Sequence, residues 1–151
     1  MTTTRVPDGL ESSSAVVHGS AQGFAQAITT GHHRLLADEP VVAGGTDTGP
    51  SPYDLLIAAL GACTSMTVSL YARRKQWPLE AVTVKLVHHK VHAADCETCE
   101  QKDGLLDQIE REVELHGTLT EEQRARLLEI ANKCPVHKTL TSQIHILTRL
   151  V

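Results

Sequence analysis

The sequence predicts an α+β fold with the element order βββ-α-ββ-αα-β and a mixed or mainly antiparallel sheet. Three observations lead to this prediction. Several short segments alternate apolar and polar residues and are separated by Gly and polar residues, as in β-hairpins. A long and almost wholly apolar helix follows a Ser-Pro pair in the middle of the chain. A Thr-Glu-Glu-Gln capping box opens a second helix nearer the C-terminal end.

Length and composition limit the class of protein. We expect residues 1–14, which are polar and aperiodic, to form a flexible tail and residues 15–151 to form a single domain. A net charge of −4 and an aromatic content of 3% argue against nucleic-acid binding. The chain starts without the apolar run of a signal peptide, and its longest apolar stretch, residues 55–62, is too short to span a bilayer. We therefore expect a cytoplasmic protein with no membrane partner.

The strands are predicted from apolar residues that recur at every second position. Residues 93–104 interrupt this pattern as a polar loop, and the charges of residues 110–112 fit a solvated strand face. Residues 44–50, rich in Gly, are expected to form a loop. The predicted strands are residues 15–19, 24–30, 33–37, 81–92, 109–115 and 143–149.

The first helix has clear start and stop signals. Ser51 is suited to cap it, Pro52 to its first turn and Asp54 to its positive end, and Trp77 followed by Pro ends it near residue 76. Because residues 55–62 are apolar all round, we expect this helix to be buried on most sides.

The second helix is expected to run from Thr120 to about residue 132. Pro135 then begins a short helix that ends near residue 141.

Two cysteines have unusual surroundings. Cys63 lies inside the apolar helix, and Cys134 lies at the junction of the two C-terminal helices. A thiol in a dry helical environment and a second thiol at a helix junction suit a two-cysteine redox cycle. Both also suit core packing, because free Cys is among the most buried residue types. The residues alone leave both interpretations open.

The segments around these cysteines resemble those of the OsmC/Ohr family of thiol-dependent peroxidases. The likeness is carried by Gly-Gly at 44–45, Gly-Pro-Ser-Pro-Tyr-Asp-Leu-Leu at 49–56, Ala-Cys at 62–63 and Cys-Pro-Val-His-Lys-Thr-Leu at 134–140. It extends over about residues 15–151. The resemblance implies an OsmC-like fold in which the long central helix is buried in an intertwined homodimer.

The resemblance also implies an activity, the reduction of organic hydroperoxides without a required cofactor. Cys63 would attack the peroxide and become a sulfenic acid, and Cys134 would condense with it to a disulfide. An external dithiol would then reduce that disulfide.

One position departs from the family pattern, which places a Glu ten residues before the reactive Cys to pair with an activating Arg. This chain has Tyr53 there, which can donate a hydrogen bond but cannot form an ion pair. Arg34, in the third strand, is the candidate for the Arg. His137, three residues after Cys134, is a second candidate to tune a thiolate, although a His hydrogen-bonded near a helix start is equally expected. The pattern is closer to the OsmC-like branch than to the better known peroxidase groups.

A second cluster suggests a different class of function. His92, Cys96 and Cys99 have zinc-type side chains, and the two Cys are spaced as in Cys-x-x-Cys sites. They give three ligands and an open position; a disulfide or free thiols are the alternatives. With Tyr53 in place of Glu, this cluster supports the alternative hypothesis of a non-catalytic OsmC-like protein that binds a small molecule or a metal.

Overall fold

The computed structural model of the chain describes residues 12–151. Residues 1–11 of the expected tail lie outside the described residues, and residues 12–14 are exposed and have no regular secondary structure. The chain divides into two compact units, the first ending at Leu55 and the second spanning Leu56–Val151. Each unit is described by itself below.

The first unit contains a three-stranded antiparallel sheet in the order β1-β2-β3, which confirms the three strands predicted before the long helix. Ile28 in the middle strand lies opposite Val17 on one side and Leu35 on the other. Gly31, with φ of 58°, makes the turn between the second and third strands possible. The strands are β1 (Val16–Gly19), β2 (Gln26–Thr30) and β3 (His33–Ala37).

Asp38 organises the loop that follows β3. Its side chain is 2% exposed. The carboxylate accepts hydrogen bonds from the backbone N–H groups of Glu39, Thr46 and Thr48 at 2.8, 3.0 and 3.2 Å. It also accepts from the hydroxyls of Thr46 and Thr48 at 2.6 and 2.9 Å. Five donors on one carboxylate fix the loop, which passes so close to itself that a Cβ at Gly45 would meet the carbonyl oxygen of Glu39 at 1.8 Å.

Helix α1 (Pro52–Lys75) begins and ends as the sequence predicts. At its start, Ser51 N–H and Oγ donate to Asp54 Oδ2 at 3.0 and 2.8 Å, and Asp54 N–H donates to Ser51 Oγ at 3.2 Å. At its end, Gln76 adopts a left-handed conformation with φ of 55°, and the N–H of Trp77 donates to the carbonyl of Ala72 at 3.0 Å. The left-handed residue stops the helix one position before the Trp-Pro pair.

In the second unit, α1 buries one stripe of residues with helical spacing. Val68 and Ala72 form the core together with Leu127 and Ala131 of the second helix. Other apolar side chains of α1 stay exposed in the single chain, Met66 by 70%. The helix is long and apolar enough to cross a membrane by length and composition alone. Its packed stripe is that of a core helix. The stripe consists of Leu60, Gly61, Thr64, Val68 and Ala72.

The second sheet is one long antiparallel hairpin of β4 (Leu79–His92) and β5 (Leu105–Gly117). Both strands are longer than the predicted segments 81–92 and 109–115. β4 begins two residues earlier, and β5 is longer at both ends, where Leu105 pairs with His92 and Gly117 pairs with Leu79. Midway along, Leu86 lies opposite Arg111.

Two helices follow the hairpin, α2 (Glu121–Ala131) and α3 (Pro135–Leu140). The predicted capping box at the start of α2 is confirmed. Gln123 N–H donates to Thr120 Oγ1 at 3.1 Å, and Thr120 N–H donates to Gln123 Oε1 at 3.0 Å. Pro135 is at the first position of α3, as predicted.

The predicted final strand over residues 143–149 is wrong for the single chain. These residues have no regular secondary structure, and neither sheet of the described part of the chain includes them. Ile144, Ile146 and Leu147 are exposed by 54, 80 and 77%. Apolar alternation marks a segment suited to a strand, but a strand also needs a neighbour to accept and donate its backbone hydrogen bonds.

Candidate active site around two thiols

Cys134 is a completely buried free thiol at the start of α3. Its extended backbone and the following Pro135 make it the N-cap residue of that helix. From there its Sγ turns back and accepts the N–H of His137 at 3.3 Å. The Cys63 side chain is close enough to contribute to the lowered pKa of the Cys134 thiol. The two thiols that the sequence singles out are therefore neighbours.

Thr64 places a hydroxyl beside Cys134. It is completely buried on α1, next to Cys63 in the sequence, and its Oγ1 lies 3.8 Å from Cys134 Sγ. The same hydroxyl donates to the carbonyl of Leu60 at 2.7 Å, one helical turn earlier. Thr64 therefore has one proton and two acceptors within reach, the backbone carbonyl and the sulfur.

Arg111 supplies the positive charge of the site. From the middle of β5, its Nη1 donates to Thr64 Oγ1 at 2.9 Å. Its Nη2 donates to Asn132 Oδ1 at 2.7 Å and is 3.3 Å from Nδ1 of His137. Three partners from α1, the end of α2 and α3 thus hold one guanidinium in place. Because its planar donors are fixed by three acceptors, the charge is set at a constant position behind Thr64.

The surroundings favour the ionised form of Cys134. Burial raises the pKa of this thiol, but the hydrogen bonds from the backbone of His137 and from the side chains of Thr64 and Cys63 lower it, as does the charge of Arg111. The lowering contributions prevail, so the pKa lies below the usual value of a cysteine. A thiolate is the reactive form of cysteine, and at neutral pH this environment increases its fraction.

His137 contributes its backbone N–H rather than a cationic ring. Burial lowers the pKa of its imidazole, and the charge of Arg111 lowers it further. A neutral ring whose Nδ1 faces an arginine donor accepts a hydrogen bond at that atom and carries its proton on Nε2. A neutral His137 ring does not supply the positive charge that the sequence suggested for it. Arg111 is the cation beside this thiol.

A cavity of about 420 Å³ adjoins this group. One part of its wall is apolar, and the other carries polar side chains, among them Arg111 and His137 from the surroundings of Cys134. At its polar end, Asp107 accepts hydrogen bonds from His88 and Lys90, each at 2.9 Å. The hydrogen bond from Lys90, followed by that from His88, lowers the pKa of Asp107. The cavity is lined by Leu60, Asp107, Ile109, Arg111, Asn132, His137, Leu140 and Thr141.

The remaining predicted site residues occupy other positions. Cys63 is half-buried on α1 and is a free thiol. Arg34 lies on β3 of the first unit, where its Nη1 donates to Thr29 Oγ1 at 3.4 Å. Tyr53 is in the first turn of α1 and is 51% exposed. The roles of Arg34 and Tyr53 stay predictions.

The predicted metal cluster takes the alternative form that the sequence leaves open. Cys96 and Cys99 are joined in a disulfide with a Cα–Cα distance of 5.4 Å, while His92 ends β4. Sulfurs bonded to each other are not thiolate ligands, so this form of the protein has the disulfide alternative, and zinc binding by His92, Cys96 and Cys99 stays a prediction for the reduced thiols. Within residues 12–151, no group of three or more His, Cys, Asp or Glu is placed to hold a metal ion.

Sequence reasoning missed three residues of the site, Thr64, Arg111 and Asn132. The charged run of residues 110–112 predicts a solvated face, yet Arg111 occupies the same alternation phase as Ile109 and Val113, whose side chains are partly buried. A charged residue at an apolar position of an alternating strand is the signal that identifies it. Asn132 follows the last turn of α2, and nothing in the sequence distinguishes it from an ordinary helix end.

The segment that contains the site matches a known protein family. The family model described as OsmC-like protein matches residues 45–149, a segment that includes both thiols and Arg111. A search of curated proteins gave no match.

Solved structures share the fold. An organic hydroperoxide resistance protein OsmC from Legionella pneumophila aligns with a TM-score of 0.65 at 20% identity, covering 89% of this chain and 92% of that one. OhrB, the organic hydroperoxide resistance protein of Bacillus subtilis, aligns at 0.60 and 20% identity, with 87% and 91% covered. An OsmC-like protein of unknown function from Vibrio cholerae aligns at 0.67 and 16% identity, with 89% and 96% covered. At these identities the likeness establishes the fold.

Proposed function

Because this chain belongs to the OsmC-like protein family, we propose that it is a thiol peroxidase that reduces organic hydroperoxides through Cys63 and Cys134. The arrangement of the thiol pair carries the proposal: Cys134 lies beside Cys63, accepts the His137 N–H at 3.3 Å, and has surroundings that favour its thiolate. Relatives of the same fold that are named organic hydroperoxide resistance proteins support the choice of substrate. The predicted two-cysteine cycle fits this pair without a metal or an organic cofactor.

The first step oxidises Cys63, the more accessible of the two thiols. Its sulfur, as the thiolate, attacks the terminal oxygen of the hydroperoxide. A sulfur–oxygen bond forms, the oxygen–oxygen bond breaks, and the departing alkoxide takes a proton to become an alcohol. Cys63 is left as a sulfenic acid. The apolar wall of the adjacent cavity, formed by Leu60, Ile109 and Leu140, suits the organic part of such a substrate.

The second step joins the two cysteines. The Cys134 thiolate attacks the sulfur of the sulfenic acid, a disulfide forms, and hydroxide leaves and is protonated to water. Because the two side chains are neighbours in the reduced protein, no large movement is needed. An external dithiol then returns both thiols by exchange. We place this cycle in the cytoplasm, where thiol reductants are abundant.

Intact mass and peptide mapping test this cycle. Reduced protein treated with tert-butyl hydroperoxide without oxygen is expected to lose two thiols as a Cys63–Cys134 disulfide, with a mass decrease of about 2 Da. Cys134→Ser should stop at the sulfenic acid, a gain of about 16 Da that dimedone traps. Cys63→Ser should form neither product.

The second cysteine pair provides the matched control. The double variant Cys96→Ser/Cys99→Ser should consume hydroperoxide and form the Cys63–Cys134 bond as the natural sequence does. Unchanged thiol counts with excess hydroperoxide would contradict the peroxidase, and the cavity would then belong to a non-catalytic binding protein.

We further propose that the protein is a homodimer in which the α1 helices of two copies cover one another. The single chain leaves apolar side chains of α1 exposed, with Met66 at 70% and Leu70 at 42%. The C-terminal segment exposes Ile146 and Leu147 as well. A second copy that covers both regions would remove apolar surface from water and give residues 143–149 the strand neighbour that they lack in the single chain.

The oligomeric state is measured by light scattering during size-exclusion chromatography. We expect twice the chain mass of 16.4 kDa. Met66→Glu places a charge in the covered helix face and should shift the mass to that of one chain or unfold the protein. Lys75→Glu, at the exposed end of α1, should keep the dimer. A single-chain mass for the unmodified protein over the micromolar range would contradict the dimer.

A further inference from the structure

We propose that Cys134 is the sulfur expelled when the Cys63–Cys134 disulfide is reduced, so that the external dithiol enters at Cys63. This inference rests on the proposed function only for the existence of that disulfide. It assigns a direction to the reduction step and gives Thr64 and Arg111 a role in it.

Access to the two sulfurs differs. A thiol that attacks a disulfide bonds to one sulfur while the other leaves, so the attacked sulfur must be reachable from outside. Cys134 has no exposed surface even in the single chain, so a second copy packed on α1 cannot open it, whereas Cys63 is only half-buried. The reductant therefore enters at Cys63, and Cys134, on the inner side, is the leaving group.

The surroundings of Cys134 are those of a good leaving group. The backbone N–H of His137 points at its sulfur from 3.3 Å and remains available to the thiolate as it forms. Exchange is faster when the departing sulfur is the more acidic one. The same contacts that lower the pKa of the Cys134 thiol in the reduced protein lower the barrier to its departure.

Thr64 can follow the change of charge on the sulfur. Its oxygen accepts a hydrogen bond from Arg111, so its own proton is free to point either to Leu60 O, at 2.7 Å, or to Cys134 Sγ, at 3.8 Å. Rotation of the hydroxyl toward the sulfur adds a hydrogen bond to the thiolate that the disulfide sulfur does not require. Arg111 keeps the oxygen in place during this rotation because Asn132 and His137 hold the guanidinium.

The reduction takes two exchange steps. One thiolate of the dithiol attacks Cys63 Sγ, a mixed disulfide forms there, and Cys134 leaves as a thiolate with the electron pair of the broken bond. The second thiol of the dithiol loses its proton and attacks its partner sulfur in the mixed disulfide. Cys63 leaves and is protonated, and the dithiol departs as a disulfide, oxidised by two electrons.

A monothiol reveals which sulfur is attacked, because it stops at the mixed disulfide. The Cys63–Cys134 bond is formed with diamide, the protein is exposed briefly to 2-mercaptoethanol, and the reaction is quenched with acid. After unfolding, free thiols are labelled with iodoacetamide and the peptides are mapped. We expect mercaptoethanol on Cys63 and the label on Cys134, in at least about tenfold excess over the reverse pattern.

Two variants test the role of the hydroxyl. Thr64→Val retains the shape but has no proton for the sulfur, and reduction should slow by about threefold or more. Thr64→Ser keeps the hydroxyl and should restore the rate. In a Cys63→Ser background, the thiolate absorbance of Cys134 should appear at higher pH with Val than with Ser. Equal rates and equal titrations for the two variants would overturn the role of Thr64.

Failure of this inference is distinguishable from failure of the peroxidase. Mercaptoethanol found mainly on Cys134, or no disulfide formed by diamide, would overturn the direction proposed here. If the diamide-oxidised protein carries mercaptoethanol on Cys63 but the reduced protein does not react with hydroperoxides, this inference holds and the proposed peroxidase function is contradicted.

Discussion

Arg111→Met is expected to stall the cycle after its first step. Without the guanidinium, Thr64 loses the donor that holds its hydroxyl, and Cys134 loses a positive charge that favours its thiolate. The pKa of Cys134 then rises, and each unit removes about a factor of ten from the thiolate at neutral pH. Disulfide formation should slow by about tenfold or more, while oxidation of Cys63 continues.

The measurement is the lifetime of the Cys63 sulfenic acid, trapped with dimedone at intervals after one equivalent of tert-butyl hydroperoxide. In Arg111→Met the trapped species should accumulate, and the defect should diminish at higher pH, where Cys134 ionises without help. Arg111→Lys keeps the charge but not the planar set of donors. Its rate of disulfide formation should lie between those of the natural protein and Arg111→Met. Arg74→Met, an exposed arginine of α1, is the matched control. Equally rapid disulfide formation in Arg111→Met would contradict this account of the site.

Asp38→Asn is expected to destabilise the first unit. The carboxylate accepts five hydrogen bonds from donors that an amide nitrogen cannot satisfy, so at least one buried N–H or hydroxyl loses its acceptor. We expect the melting temperature at pH 7 to fall by roughly 5 °C or more. Glu39→Gln changes a neighbouring carboxyl whose backbone, rather than side chain, bonds to Asp38, and should be nearly neutral.

The stability lost in Asp38→Asn should depend on pH, because the pKa of Asp38 is lowered in the folded protein. The hydroxyl of Thr46 is the largest cause of the depressed pKa of Asp38; burial opposes it, and bonds from Thr48 and Glu39 reinforce it. A carboxyl whose pKa is lower in the folded protein adds stability above its unfolded pKa, about 3.9, and loses it as pH falls toward the folded value. The difference between the natural protein and Asp38→Asn should therefore shrink below about pH 4. A constant difference between pH 7 and pH 3 would contradict the charge-based explanation.

Much of the fold could be predicted because its signals are local. The Ser-Pro-x-Asp start of α1 and the capping box at Thr120 each specify a boundary through side chains within one turn. The final strand could not be predicted in the same way. Residues 143–149 alternate like a strand, but pairing depends on a partner that the local sequence does not supply.

The site could be predicted only in part, because some of its residues come together through contacts between segments that are distant in the sequence. Cys63 and Cys134 stand out by residue type, whereas Arg111 reaches them only because β5 and α1 pack together in the second unit. The sequence suggested Arg34 or His137 as the cation, since neither the strand register nor the titration of a buried imidazole is visible in residue order. The metal hypothesis is based on side chains of the types that bind zinc. The spacing of Cys96 and Cys99 also permits the disulfide that they form.

The register between β4 and β5 makes the site sensitive to substitutions that lie far from both thiols. Successive residues of a strand face opposite ways, so sliding β5 by a single position along β4 would turn Arg111 outward and bring an acidic neighbour, Glu110 or Glu112, to the inner side. At the open end of the hairpin, Gly117 pairs with Leu79 and adopts φ of 131°, and a Cβ there would meet Pro78 O at 2.2 Å. We therefore expect a bulkier residue at Gly117 to displace this end of the hairpin and lower the proposed peroxidase activity, with secondary structure largely preserved.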